Sequence, residues 1–183
     1  YKRILSLDSA MAVVQFKKDH VVYQRNYFIS YPANVMVMRF SADQPGKQNL
    51  VFSYAPNPVS TGNMASDSNK GLVYSASLDN NGMKYVVRIQ AETKGGTLSN
   101  ADGKLMVKGA DEVVFYITAD TDYKPDFDPD FKDPKTYVGV NPEETTKEWM
   151  NNAVSQGYTA LFSQHYNDYA ALFLSLIHIS EPT

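Results

Sequence analysis

The residues whose types and spacing could do chemistry fall in three places in this chain. The first is the acidic stretch holding Asp120, Asp122, Asp126, Asp128, Asp130 and Asp133. Carboxylates at that density suit a hard cation such as calcium. The segment Asp126-Phe127-Asp128-Pro129-Asp130 opens like a calcium loop, but the sixth and twelfth positions, which need Gly and Glu, are Phe131 and Tyr137. The EF-hand pattern therefore fails. A looser calcium loop is the alternative to the ordinary reading, a solvated acidic loop whose aspartates make turns. Pro125, Pro129 and Pro134 disfavour helix or central strand over Asp120 to Pro142.

The second is His165 with Asp168, a general base and a carboxylate three residues apart on an expected helix. One such pair is common, and the favoured reading is structural: a hydrogen bond at a helix–sheet or helix–helix contact. His20 belongs to a turn and should be exposed. The third is Ser175, His178 and Glu181, which mimic a hydrolase triad at a spacing of three. A triad is assembled by a fold around an oxyanion site, so this periodic run on one helix is not read as catalytic. Acids are plentiful, but no pair is singled out as the two carboxylates of a glycoside hydrolase. No dinucleotide, phosphate-loop, nucleophile-elbow or zinc-protease motif is present. No catalytic, cofactor-binding or metal-ligating residue is assigned, and no cofactor is expected.

Composition narrows the classes further. The chain has 183 residues, with 17 Lys+Arg against 20 Asp+Glu, for a net charge of -3, which argues against a charge-driven nucleic-acid partner. With no Cys, disulfides and thiolate chemistry are excluded, and a count of three His argues against a multi-His metal site. No run approaches the roughly 18 apolar residues of a membrane span. The 13 Tyr and 9 Phe favour β structure and, by default, core packing over a sugar platform.

The elements follow from periodicity and turn signals. Strands are expected at Lys2–Leu7, Ala12–Lys17, Val21–Ser30, Val35–Ser41, Asn49–Tyr54, Gly71–Ser77, Lys84–Glu92, Lys104–Lys108 and Glu112–Thr118. Asp19-His20, Asn81-Gly82 and Asp102-Gly103 mark turns between them. No helical crossover of suitable length separates these strands, so the sheets should be antiparallel and stacked as a sandwich. Asn57 to Lys70, polar and rich in turn formers, reads as a loop. Asn141-Pro142-Glu143-Glu144 then starts a helix, with Asn141 as cap, Pro142 at the first position and Glu144 completing a capping box. Thr146, Trp149, Met150, Ala153 and Val154 keep helical spacing, and Gly157 is the stop. A second helix is expected over Tyr158 to Phe173, with Tyr158, Phe162, His165, Tyr169 and Leu172 on one face. The fold class is mainly β: an incomplete antiparallel sandwich over residues 1–140, then a two-helix linker over 141–173.

Four segments in order carry a family resemblance. Tyr1-Lys2-Arg3-Ile4-Leu5-Ser6-Leu7-Asp8-Ser9-Ala10 and Tyr23-Gln24-Arg25-Asn26-Tyr27-Phe28-Ile29-Ser30-Tyr31-Pro32 resemble the N-terminal domain of glycoside hydrolase family 95, with Asn26 where that family usually has Glu. Ala119-Asp120-Thr121-Asp122-Tyr123 resembles a further family segment. His165-Tyr166-Asn167-Asp168-Tyr169-Ala170-Ala171-Leu172-Phe173 resembles its linker helix.

The resemblance implies an N-terminal β-sandwich, a helical linker and an (α/α)6 barrel that carries the catalytic acid and base. It also implies inverting hydrolysis of terminal α-L-fucosides, or of α-L-galactosides in some members, with fucosylated glycans as partners. On this reading the chain lacks its barrel and the first part of the sandwich, is inactive alone, and leaves a sheet edge exposed. Its linker's apolar face awaits the absent barrel. Bacterial members of the family are commonly exported to the periplasm or beyond. Leu174 to Thr183 resembles the translated read-through of a sequencing adaptor and is set aside. The competing readings are a free-standing sugar-binding or adhesion module, and a disaccharide phosphorylase of a related two-domain clan.

Overall fold

A computed structural model describes residues 1–125 and 138–179, with side chains through 175. Eleven strands precede one helical element among these residues. They are β1 (Lys2–Ser6), β2 (Met11–Lys18), β3 (Val21–Ser30), β4 (Val35–Ala42), β5 (Gln48–Ser53), β6 (Ser60–Ser68), β7 (Gly71–Leu78), β8 (Lys84–Lys94), β9 (Thr97–Ala101), β10 (Lys104–Ala110) and β11 (Glu112–Thr121), followed by α1 (Pro142–Ile179). Each pairing between these strands is antiparallel. An eight-stranded sheet runs β1-β2-β3-β4-β11-β8-β7-β6, and a three-stranded sheet runs β5-β10-β9.

The expected mainly β, antiparallel fold is what the structure shows, and turn chemistry fixes much of it. Asp19 and His20 both take positive φ (50° and 64°), as do Asp102 and Gly103 (51° and 67°). Two consecutive positive φ values make the tight hairpin turn whose twist matches the flanking strands. At the Asn81-Gly82 signal the loop is longer: Leu78 N–H donates to the Met83 carbonyl at 2.9 Å, with Gly82 at φ 72°.

Strand alternation sends neighbouring side chains to opposite faces, and β11 buries both. Val113 and Phe115 join Leu72, Ile89 and Ala91 under Leu105, Val107 and Ala110 of the small sheet. Val114 and Tyr116 join Phe28, Val35 and Val37 under Met150, Ala153 and Leu161 of α1. The large sheet is thus the middle of three layers, with the small sheet on one face and α1 on the other.

Four expectations need correction. Residues 60–68, read as loop, form β6: an edge strand needs only one side chain in the core, here Met64, while its backbone pairs with β7. Polar Ser, Thr and Asn hid it. Thr97–Ala101, also unassigned, forms β9 and pairs with β10 across the Asp102-Gly103 turn. One helical element spans both expected helices and breaks where the stop was expected, at Gly157, whose φ of 71° and ψ of 171° are non-helical. The element runs on past Phe173 into the stretch set aside as adaptor-like. Finally, the apolar face of α1 up to Leu161 does not wait for an absent partner; it is buried on the chain's own sheet.

Candidate functional site

The helix-covered face of the large sheet gathers the polar and titratable side chains, and each comes from an alternation that the other face fills with apolar residues. The start of α1 is pinned first. Asn141 Oδ1 accepts the Glu143 N–H at 3.1 Å, which is the expected cap. Glu143 then reaches the sheet: its carboxylate takes the Ser75 hydroxyl and lies 3.2 Å from Arg88 Nη2. Arg88 is buried, and its Nη1 meets Asp67 of β6 at 2.6 Å. A buried guanidinium needs such partners, because desolvating an unpaired charge costs far more than the pair gains.

Further along the same face two diagonal cross-strand pairs sit below the Gly157 kink. Arg39 Nη2 contacts Glu112 Oε2 at 2.5 Å, and the guanidinium lies 4.9 Å from the centre of the Tyr158 ring. The hydrogen bond to Glu112 holds the Arg39 pKa above its ordinary value. Tyr116 donates its hydroxyl to Glu92 Oε2 at 2.9 Å. Burial, with the Glu92 bond second, pushes the Tyr116 phenol well above the usual tyrosine range. Both pairs are offset by two residues from the strand register, within reach of long side chains.

His165 lies on this face as well. Its ring stacks on Phe28 at 5.0 Å, and Nε2 is 2.9 Å from the carbonyl of Ser9 in the β1–β2 turn. A carbonyl can only accept, so Nε2 carries the proton and His165 ties α1 to that turn. This is the helix–sheet hydrogen bond expected of it. Asp168 and His165 both line an open cleft between α1 and the end of the sheet at Tyr31.

The other sequence candidates are not drawn together. Asp122 is buried and accepts the Lys84 N–H at 2.9 Å, closing the end of β8 against β11. Asp120 accepts the N–H of Thr121. Asp126, Asp128, Asp130 and Asp133 lie outside the described residues, so the calcium-loop alternative does too. Among the described residues no group of three or more His, Asp or Glu is placed to hold a metal ion. Ser175 donates to the Leu172 carbonyl of its own helix at 2.7 Å. The side chains of His178 and Glu181 fall outside the described set. His20 is exposed in its turn. No described helix is long and apolar enough to cross a membrane.

Arg39, Arg88, Glu92, Glu112 and Tyr116 were missed by the sequence reading. A signal existed: Arg88 keeps the alternation of buried Val86, and a cation in phase with a core position implies a buried ion pair.

A family model described as the glycosyl hydrolase family 65 N-terminal domain matches residues 1–126. The chain belongs to this family. Among curated proteins this family 65 N-terminal domain is similar to a probable alpha-fucosidase A of Aspergillus niger, 30% identical over 94% of this chain and 22% of that protein. It is similar also to alpha-L-fucosidase 2 of Arabidopsis thaliana, 24% identical over 98% of this chain and 24% of that one. The chain therefore spans less than a quarter of the length of these relatives. Among solved structures it resembles a putative kojibiose phosphorylase from human microbiome, with a TM-score of 0.61 at 7% identity, covering 91% of this chain and 24% of that one. That likeness shows the shared fold.

Proposed function

We propose that this domain is the non-catalytic N-terminal part of a longer glycosidase that removes terminal α-L-fucosyl groups, in the manner of glycoside hydrolase family 95. The observation that carries the reading is the extent of the fucosidase matches. Both curated relatives bear fucosidase names and align over 94% and 98% of this chain, so the similarity takes in α1 as well as the sheets. On this reading the acid and base lie in a catalytic domain elsewhere in the polypeptide. The acid protonates the leaving oxygen while the base activates water on the opposite face of the sugar, with inversion. The role of residues 1–179 is to present a rigid three-layer body to that domain. Work outside the cytoplasm, on fucosylated glycans, is part of the same proposal.

The test uses the complete product of the gene that encodes this chain, with p-nitrophenyl α-L-fucoside as substrate and NMR to observe the first anomer released. β-L-Fucose should appear first, and the 183-residue chain should give no turnover. Turnover by the 183-residue chain, or an absolute requirement for inorganic phosphate, would overturn the reading. The second result would select the disaccharide phosphorylase instead.

A further inference from the structure

The first half of α1 carries a polar stripe beside its buried one. Glu148, Asn152, Ser155 and Gln156 recur at the three- and four-residue steps that bring side chains onto one helical face. Such a stripe is ordinarily a solvated surface and no more. Here, however, the β3–β4 turn, residues 31–34, stands beside it. Ala33 of that turn packs on the core cluster beneath α1. Asn34 takes φ 49° and donates its N–H to the Tyr31 carbonyl at 3.2 Å, which closes the turn. Turn and helix border a cleft of about 320 Å³, and Trp149 lines it. Trp149 is the only Trp in the chain and is half-buried. Phe28 is packed against Tyr158 and Phe162, whereas no ring or cation among the described residues stacks on the Trp149 indole.

The polar groups around that indole have bonding capacity to spare. Ser155 and Gln156 turn back on their own helix, donating to the Asn152 carbonyl at 2.9 and 3.3 Å. The side-chain amides of Asn34 and Asn152 and the Glu148 carboxylate have no protein partner among the described residues. A sugar hydroxyl both donates and accepts. An amide offers donors and an acceptor together, and a carboxylate offers acceptors, so the set matches a run of hydroxyls. Glu148 is the one charged residue among the described residues lining the cleft, so an anion would meet repulsion and no cation. An ammonium ligand would use the carboxylate and the ring but leave the amide N–H groups idle. The volume is near the lower end of the range of about 300–1,000 Å³ for small-molecule sites, which suits one ring with its water. We propose that this cleft binds a single neutral sugar residue, which lays an apolar C–H face on the Trp149 indole and shares its hydroxyls among Asn34, Asn152 and Glu148. The proposal does not depend on what a longer polypeptide hydrolyses.

Because Trp149 is the only indole in the 183-residue chain, its emission, excited where tyrosine does not absorb, reports this cleft alone. The chain is titrated with L-fucose, D-galactose and D-glucose. Glycerol serves as a polyol without a ring face, and tetramethylammonium chloride as the cationic alternative. At least one sugar should give a saturable change in emission, and glycerol and tetramethylammonium should give none. Asn34→Gly keeps the positive φ of the turn while removing the amide, and Asn152→Ala replaces an exposed side chain, so both variants should fold. Each should raise the half-saturating sugar concentration about fivefold, the factor for one hydrogen bond of about 1 kcal/mol. Glu148→Gln keeps an acceptor and should change it by no more than about twofold. Saturation by tetramethylammonium that is lost in Glu148→Gln would assign the cleft to an ammonium ligand and overturn the proposal. So would an equal response to glycerol, a sugar response unchanged in both Asn variants, or no saturable response to any of the three sugars. Saturation-transfer NMR of the same mixtures is the second measurement. Protons on one face of the bound ring should take up the most magnetisation, and even uptake around the ring would overturn the stacking.

Discussion

The two faces of the eight-stranded sheet are built from the same strands by the same alternation, yet they are held in different ways. On the small-sheet face Leu72, Ile89, Ala91, Val113 and Phe115 meet Leu105, Val107 and Ala110, all apolar and all buried. On the helix face the apolar cluster around Phe28, Val37, Met150 and Leu161 is interleaved with buried Asn26, Arg88, Thr118, Thr146 and His165. An apolar contact is nearly indifferent to a small sliding motion, whereas a buried polar group tolerates only positions where its partner can be reached. The dry face should therefore supply most of the stability, and the polar face should fix where α1 lies.

The sharpest way to break the comparison is at the centre of the dry face. Phe115 is fully buried, stacked on Phe52 at 4.7 Å and edge-on to Phe40 at 5.7 Å. Phe115→Ala should destabilise the chain by about 3–5 kcal/mol, the range for an aromatic deleted from a core. Urea denaturation followed by circular dichroism measures it. A loss below about 1 kcal/mol would show that the small sheet is loosely attached and that the faces do not divide the work as argued.

The middle case is Arg88, the ion-paired anchor of the start of α1. Arg88→Ala leaves Asp67 and Glu143 without their cation, but both carboxylates are about one-third exposed and can rehydrate. The expected cost is about 2 kcal/mol, below the range for breaking a fully buried pair. The signature that separates it from Phe115→Ala is local. Hydrogen exchange should quicken in the first turns of α1 around Thr146 and Met150, with β10 and β11 unchanged. Uniform acceleration across both sheets would mean that Arg88 supports the whole fold and has no special hold on the helix.

The same division explains what the sequence could reveal. Strands such as Val21–Ser30 were read with the bounds they have in the structure, because β-branched and aromatic residues between turn signals leave few alternatives. The dry face was legible as alternation. β6 was not, because an edge strand held mainly by backbone pairing leaves a hydrophobicity pattern with one core residue, Met64. β9 could have been found from the turn at Asp102-Gly103, since a tight hairpin turn demands a strand on each side. The helix break was legible: Gly157 is the breaker its type predicts, and the packing of Tyr158 and Phe162 on Phe28 holds the second helix on the same face of the sheet. His165 was read correctly as structural, because one histidine and one carboxylate on a helix specify no reaction. The pairs Arg39–Glu112 and Tyr116–Glu92 were not legible. They join strands far apart in sequence, and only the register brings them together.

The smallest expected effect concerns Tyr116, and pH separates it from every change on the dry face. Its phenol sits above the ordinary value of 10.0 chiefly because burial penalises the anion. In the unfolded chain the phenol ionises near that ordinary value, whereas in the folded chain it keeps its proton. The folded state thus binds more protons above pH 10, so stability falls as pH rises beyond that point, by up to about 1.4 kcal/mol per pH unit from this group. Below pH 10 the contribution is fully present. Tyr116→Phe keeps the ring and removes the hydroxyl, at a cost of about 1 kcal/mol near neutrality for the bond to Glu92. It should also flatten the alkaline decline, leaving a residue from Tyr54, which burial likewise raises. Phe115→Ala should lower the whole stability curve and leave its alkaline slope unchanged. Urea midpoints of the three proteins between pH 8 and pH 11 check both statements. An unaltered slope in Tyr116→Phe would show that this polar pair is solvated and does not belong to the buried face.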